Sequence, residues 1–233
     1  MRQETGEIAI WYVPLHGEGE LVWLTASERA FADAALDRQI RRRRICARTE
    51  LRRILGAYIG ASPAAVPLEA DPGGKPRVSG GPPFNLSHSG EVMLLAVSAA
   101  GEVGVDLEAC GRLDADWWSI AERAFSTEER RRLLSLPSAE QSSAALQTWV
   151  RKEAYAKARG AGFAYGFRSF TVRKASSVCE PILVEDTRDR DAAAAWRLVD
   201  LAAPHGFVAC LAHVGREAMI RRCSYAELRY EHQ

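Results

Sequence analysis

The sequence predicts an α+β fold, because helical segments and short strand-like runs occur in separate blocks along the 233 residues. Two long helices are predicted over about 40–59 and 138–160, the first from apolar spacing and the second from its start and stop signals. Short runs rich in β-branched and aromatic residues predict strands around them. Segments 92–107 and 207–222 are weakly alike, each with a strand, a turn and a strand. A duplicated half explains this likeness no better than two unrelated hairpins.

The N-terminal region is predicted to supply one buried strand and two helices. Residues 8–13 (IAIWYV) are β-branched and aromatic, and Pro14 ends that strand. A capping box over 25–28 (TASE) predicts a helix to about Asp37. The helix over 40–59 follows, with arginines on much of its polar surface. This basic helix is either solvated or a phosphate-binding wall, and the arginines alone do not distinguish the two.

The middle of the chain is predicted to hold a connection and a hairpin. The Pro- and Gly-rich segment 62–83 is expected to be a connection. The polar string 84–89 (FNLSHS) is expected to continue it as a loop and to lead into a buried strand over 92–97. After a turn at 100–101, the chain should return as a second strand over 103–108.

The second half is predicted to begin with helices and to end in strands. Asp114 or Asp116 could cap a short helix. Capping boxes over 126–129 (STEE) and 138–141 (SAEQ) predict two more helix starts, and the later helix should stop at Gly160. The strand-like runs beyond it are 167–172, 182–184, 196–201 and 207–214.

Three carboxylates and a lysine form the most distinctive chemical pattern. Asp106 and Glu108 stand two residues apart on the predicted strand, so they share a face and need water or a cation. Glu153 and Lys157 stand four residues apart and share a face of the long helix. Together the carboxylates favour a hard cation such as Mg²⁺, which binds substrate phosphates through one or two carboxylates.

Cations upstream complete a polyphosphate-binding pattern. Lys75, His88 and the arginines of 41–53 would address further phosphates. The chain contains neither a GxxxxGK[ST] loop nor a GxGxxG helix start. The pattern therefore indicates a polyphosphate ligand bound by a fold other than the ordinary nucleotide-binding folds.

Composition narrows the class of protein. Lys plus Arg total 31 and Asp plus Glu total 30, so no global field attracts nucleic acid or an acidic membrane. Five scattered cysteines without a CxxC pair argue against a disulfide framework and a zinc site, and they predict reduced thiols. No segment approaches the ~20 apolar residues of a membrane span, so we expect a cytoplasmic protein.

Two motifs together resemble a known family. GVDLE over 104–108 and WVRKEAYAK over 149–157, with FNLSHS upstream and FSTEE over 125–129 between them, resemble the paired signature of 4'-phosphopantetheinyl transferases. The chain length is similar to that of the surfactin-synthetase-activating (Sfp-type) single-chain class.

The resemblance implies a monomer with two similar α/β halves related by a pseudo-twofold axis. Each half would be a small, mostly antiparallel sheet with a long helix packed on it. We expect the halves to span 1–110 and 111–233, with the active site at their interface.

The activity implied by the resemblance is transfer of the 4'-phosphopantetheine arm of coenzyme A to a serine of an apo acyl or peptidyl carrier protein, releasing adenosine 3',5'-bisphosphate. Asp106, Glu108 and Glu153 would hold Mg²⁺ against the pyrophosphate. Asp106, Glu153 and Lys157 would be the catalytic residues. Glu153, directly or through a metal-bound water, would be the base, and Lys157 would neutralise phosphate charge.

The resemblance also assigns residues to the coenzyme. The expected coenzyme A contacts are Arg48, Thr49, Lys75, Ser87, His88, Ser89 and Lys157. Glu129 would either lie near the metal or act only as a helix cap. Trp117 and Trp118 would be core anchors or part of a carrier-binding surface.

Two alternatives remain at this point. The first is a non-enzymatic binding module that uses the basic helix, Arg41 to Arg53, to bind nucleic acid or an acidic protein partner. The balanced net charge argues against it. The second is a scaffold that keeps the coenzyme site without transfer, against which the intact carboxylates and Lys157 speak.

Overall fold

The computed structural model describes residues 1, 3–71, 73–114, 116–173, 182–215 and 217–228, so Pro72 and Cys179 lie outside the described residues. The helices are α1 (Ala26–Asp33), α2 (Arg38–Ile59), α3 (Trp117–Ala124), α4 (Thr127–Leu134), α5 (Ser138–Ala158) and α6 (Ala192–Ala195). The strands are β1 (Glu7–Pro14), β2 (Leu68–Ala70), β3 (Pro76–Val78), β4 (Phe84–Ser89), β5 (Val92–Ser98), β6 (Val103–Ala109), β7 (Phe170–Val172), β8 (Leu183–Asp186), β9 (Trp196–Leu201), β10 (Phe207–Val214) and β11 (Met219–Cys223).

The strands build two main sheets, which confirms the α+β class. The first sheet has the order β11-β1-β5-β4 and the second has the order β6-β10-β9. Neighbours in both sheets are antiparallel except β1 and β11, which are parallel. Two small pairs, β2 with β3 and β7 with β8, lie apart from them. The predicted duplication of one half is not tested by this topology.

The basic helix α2 covers the first sheet. The Asp37 side chain caps its start by accepting a hydrogen bond from Ile40 N at 2.9 Å, and Gly60 (φ +69°) ends it in the left-handed conformation that glycine adopts without strain. Its buried face, which includes Leu51 and Leu55, packs in one apolar cluster with residues of β1 and β5. The arginines therefore lie mainly on the faces turned away from the sheet.

The long helix α5 lies directly against the second sheet. A Cβ atom built on Gly104 of β6 would lie 2.2 Å from Ala154 O and 2.3 Å from Ala158 N, so only glycine permits this approach. The capping box predicted at Ser138 is wrong, because Pro137 is the N-cap residue and Ser138 is already helical. The capping boxes predicted at Thr25 and Ser126 are both present.

The predicted hairpin over 92–108 is wrong, because its two strands belong to different sheets. β5 pairs with β1 and β4, whereas β6 pairs with β10. The segment 207–222 crosses in the opposite direction, from β10 to β11, which pairs with β1. β6 precedes residue 110 but pairs with β10 in the second sheet. The boundary of the halves at 110 stays a prediction.

The polar string FNLSHS is strand β4 rather than a loop, and the 62–83 segment also contains β2 and β3. β4 lies beside β6 at the seam between the sheets, where side chains bond to backbone. Asn85 Oδ1 accepts a hydrogen bond from Val105 N at 2.9 Å, and Ser89 Oγ accepts one from Ala109 N at 3.0 Å. This seam brings the polar residues of β4 against the carboxylates of β6.

Candidate active site

Six of the predicted site residues line one cleft at the seam. The cleft measures about 490 Å³ and its walls include Ser87, His88, Asp106, Glu108, Glu153 and Lys157. β4 and β6 supply one wall, and α5 supplies the other. The two separated motifs therefore meet in space.

Asp106 is the buried centre of the cleft. Its Oδ1 accepts hydrogen bonds from Ser87 Oγ at 2.8 Å and from Lys157 Nζ at 2.6 Å. Its Oδ2 is buried and has no hydrogen-bond partner. A buried carboxylate oxygen without a partner is costly, and it is ready to bind a cation. Lys157 also donates to Ser87 Oγ at 3.0 Å, so one ammonium group joins α5 to both strands.

Glu108 lies between a serine and an arginine. Its Oε2 accepts a hydrogen bond from Ser89 Oγ at 3.1 Å, and its Oε1 lies 2.8 Å from Arg112 Nη1. Burial, followed by the charge of Asp106, raises the pKa of Glu108 above its usual range. The motifs did not identify Arg112, whose position on the turn after β6 gives no periodic signal.

Glu153 is the third carboxylate, and it projects from α5 with only 8% of its surface exposed. Burial raises the pKa of Glu153 to about 7, Asp106 and Glu108 add to this rise, and Lys157 opposes it. Within the described ranges, no three carboxylate, histidine or thiol groups are arranged to hold a metal ion. The cations Lys157 and Arg112 bind Asp106 and Glu108 instead, so the metal assignment stays a prediction.

The raised pKa of Glu153 predicts a pH-dependent stability for the metal-free protein. Between about pH 4.5 and 7, the folded chain keeps a proton on Glu153 that the unfolded chain has released, so the free energy of unfolding falls as pH rises. We expect Glu153→Gln to remove this fall. At pH 8 the variant should be more stable than wild type by about 1–3 kcal/mol.

The measurement is urea denaturation in EDTA at pH 5, 6, 7 and 8. The two proteins should be closest in stability at pH 5, diverge through pH 6 and 7, and keep a nearly constant difference from pH 7 to 8. Parallel stability profiles across this range would show that Glu153 is not held with a raised pKa.

Arg48 and His88 lie together beside the cleft. Both line a neighbouring pocket of about 70 Å³, together with Arg44. His88 is exposed and also lines the main cleft. Arg48 Nε lies 3.4 Å from Glu28 Oε1. The pocket therefore offers two guanidinium groups and an imidazole next to the carboxylates.

Thr49 and Lys75 do not line the cleft. Thr49 is buried, and its Oγ1 accepts a hydrogen bond from Glu20 N at 2.8 Å. Lys75 Nζ donates to Glu102 Oε2 at 2.7 Å and to Val103 O at 3.1 Å. Their coenzyme roles stay predictions that nothing in this geometry supports. The motifs indicated Thr49 and Lys75 by their position in the sequence. The directions of the two side chains are set by their hydrogen-bond partners, which the motifs do not specify.

Glu129 is a helix cap that also binds a buried lysine. Its Oε2 accepts a hydrogen bond from Ser126 N at 2.7 Å, and Lys152 Nζ lies 2.8 Å from both of its carboxylate oxygens. Burial lowers the pKa of Lys152 to about 8, and Glu129 opposes this effect. The pair fastens α5 to α4 one residue before Glu153. The sequence analysis did not identify Lys152, because the chemical interpretation of the KEA motif was given to its neighbour Glu153.

A second, largely apolar cavity of about 590 Å³ adjoins the cleft. Ile120 and Phe167 line it, and Trp149 lies in the walls of both cavities. The Trp149 and Phe167 rings pack with their centroids 5.5 Å apart. Trp117 and Trp118 are partly buried against the apolar cluster that contains Trp149 and Phe167.

Comparison with known proteins identifies the family. The profile of the 4'-phosphopantetheinyl transferase superfamily matches residues 102–212. The chain is 33% identical over 219 residues to 4'-phosphopantetheinyl transferase HetI of a Nostoc species, covering 90% of this chain and 88% of that protein. It is 40% identical over 133 residues to 4'-phosphopantetheinyl transferase psf-1 of Bacillus pumilus, covering 54% of this chain and 55% of that protein.

A putative 4'-phosphopantetheinyl transferase of a Synechocystis species is 30% identical to the chain over 164 residues, which cover 67% of this chain and 66% of that protein. The profile match contains Asp106, Glu108, Glu153 and Lys157, all of which line the cleft. The similarity to the Nostoc protein extends across nearly the whole chain, beyond the paired motifs. The chain belongs to the 4'-phosphopantetheinyl transferase superfamily.

Proposed function

We propose that this protein transfers the 4'-phosphopantetheine arm of coenzyme A to a serine hydroxyl of an apo acyl or peptidyl carrier protein. Adenosine 3',5'-bisphosphate is the other product. The observation that carries the proposal is the meeting of Asp106, Glu108, Glu153 and Lys157 in one cleft of a chain that belongs to this family.

The donor set suits Mg²⁺. Asp106, Glu108 and Glu153 would hold it, and the buried, unpartnered Oδ2 of Asp106 supports this assignment. When bound, the ion would supply positive charge to the pyrophosphate and its leaving group.

The side chains of the cleft have separable tasks in this reaction. In the metal-free protein, burial raises the pKa of Glu153 to about 7. Its carboxylate lines the cleft and would accept the serine proton. Lys157 would move from Asp106 Oδ1 to phosphate oxygens once the carboxylate is engaged elsewhere. The pocket with Arg44, Arg48 and His88 would bind the adenosine phosphate of the coenzyme.

The adjoining apolar cavity suits the pantetheine arm or an apolar contact of the carrier. It shares Trp149 with the carboxylate cleft, so an extended thiol-bearing arm can reach from one to the other. Arg123 and Arg168 also line this cavity and offer charge to an acidic partner.

The test incubates the purified protein with coenzyme A, MgCl₂ and an apo carrier protein, and it measures the mass of the intact carrier. We expect a gain of one phosphopantetheine on the carrier serine. A carrier with that serine replaced by alanine should gain nothing. A folded protein that binds coenzyme A but modifies none of the fatty acid, polyketide and peptide synthetase carriers would refute the proposal.

The binding-module alternative loses support from the relatives, which carry enzyme names, and from the ion pairs of α2. Arg41 pairs with Asp33 at 2.7 Å, and Arg42 pairs with Glu91 at 2.7 Å. Arg52 pairs with Glu28 at 2.9 Å. These carboxylates offset much of the positive charge that binding to nucleic acid would need.

No helix within the described residues is long and apolar enough to span a membrane.

A further inference from the structure

Two cations neutralise the paired carboxylates of β6. Lys157 Nζ lies 2.6 Å from Asp106 Oδ1, and Arg112 Nη1 lies 2.8 Å from Glu108 Oε1. Asp106 and Glu108 are also two of the carboxylates assigned to Mg²⁺. Lys157 and Arg112 therefore each bind a carboxylate that the metal ion would bind. Lys157 and Arg112 thus act as internal counter-ions of the metal-free cleft.

Arg112 is positioned so that it can leave Glu108. Its side chain is 48% exposed, whereas the Glu108 side chain is 13% exposed. Arg112 follows the end of β6 on a turn that contains Gly111 (φ +82°). An ion pair with one side chain this exposed contributes little stability, so exchanging it for another partner costs little.

The chemistry of Arg112 fits phosphate. A guanidinium group presents forked donors that match two oxygens of one phosphate, and it keeps its charge at any working pH. Arg112 lines the same cleft as Glu153 and Lys157. A guanidinium displaced from Glu108 therefore stays within the cleft that would receive the pyrophosphate.

We propose that Arg112 is a further phosphate-binding residue of this cleft, held on Glu108 until a divalent cation takes that carboxylate. The inference rests on the proposed function. Without coenzyme, Arg112 competes with the cation for Glu108. With coenzyme present, the displaced guanidinium binds phosphate oxygens, so cation and coenzyme each favour binding of the other.

The test measures two affinities of Arg112→Gln with the complete protein chain. Mn²⁺ binding without coenzyme, followed by electron paramagnetic resonance, should tighten about threefold because the competitor is gone. Coenzyme A binding at saturating Mn²⁺, followed by calorimetry, should weaken about tenfold because a charge-assisted contact is lost. Arg112→Lys, which keeps the charge, should recover part of the coenzyme affinity.

Arg131→Gln is the matched control, because Arg131 is an exposed arginine of α4 that lines neither cavity. It should leave both affinities at wild-type values. Unchanged affinities in Arg112→Gln would overturn the proposal. Weakening of both affinities would also overturn it, because that result indicates a purely structural role.

Failure of the proposed function gives a different result. Wild-type protein that binds Mn²⁺ but no coenzyme A would overturn the transferase assignment and with it the phosphate role of Arg112. Tighter Mn²⁺ binding by Arg112→Gln would still report competition for Glu108 in that case. The two measurements therefore separate the failure of one idea from the failure of the other.

Discussion

Asp106→Asn should reduce phosphopantetheine transfer by roughly 10³-fold in kcat/KM while leaving the fold intact. Asparagine has the shape of aspartate, and its carbonyl oxygen can still accept the hydrogen bond from Ser87. It supplies no negative charge to a cation, however, and it leaves Lys157 without its ion-pair partner. The measurement is the rate of mass gain on a carrier protein, with circular dichroism to check the fold.

The control for this variant is Asp33→Asn. Asp33 pairs with Arg41 at 2.7 Å on the exposed surface of α1, and it does not line the cleft. Transfer by this control should stay within about twofold of wild type, as expected for an exposed pair of small energetic effect. If Asp106→Asn also transferred at nearly the wild-type rate, the central role of Asp106 would be excluded.

Gly104→Ala should destabilise the protein by roughly 3 kcal/mol or more, at or above the usual range for overpacking. The new methyl group would meet backbone atoms of α5 at 2.2 and 2.3 Å, and backbone cannot rotate away as a flexible side chain can. α5 must therefore move off β6, which also separates Glu153 and Lys157 from Asp106. We expect lower transfer in the fraction that remains folded.

Urea denaturation of Gly104→Ala and Gly17→Ala provides the comparison. A Cβ atom on Gly17 would find its nearest neighbour, Cys46 Sγ, at 3.8 Å, which is ordinary van der Waals contact. Gly17→Ala should therefore stay within about 0.5 kcal/mol of wild type. A Gly104→Ala variant as stable as that control would show that α5 and β6 do not pack this closely.

The glycine of GVDLE explains why the two family motifs occur together. Gly104 admits α5 against β6, and the same contact places Glu153 within reach of the carboxylate pair two to four residues further along β6. The spacing of the motifs along the chain carries no such information. Sequence resemblance identified the residues, whereas the close approach of helix and strand gives the physical reason.

Local signals were sufficient for most elements. Periodic apolar residues, capping boxes and terminal glycines depend on neighbours within one or two turns, so β1, α2 and α5 were predicted close to their observed bounds. The cap at Ser138 failed because Pro137 takes that position. The string FNLSHS looked like a loop because its polar residues satisfy the backbone and carboxylates of β6, a partner that periodicity cannot detect.

The sequence by itself predicted the α+β class and indicated the family. It also identified Asp106, Glu108 and Glu153 as candidate site residues. Only the tertiary structure showed that β6 pairs with β10 and not with β5. It also showed that Glu129 binds Lys152. Thr49 and Lys75 likewise proved to bind residues outside the cleft. Strand pairing and side-chain direction depend on contacts between distant residues, such as Asp106 beside Cys210. The free energy of those contacts depends on packing and hydrogen bonding across the whole chain, so no local pattern encodes them.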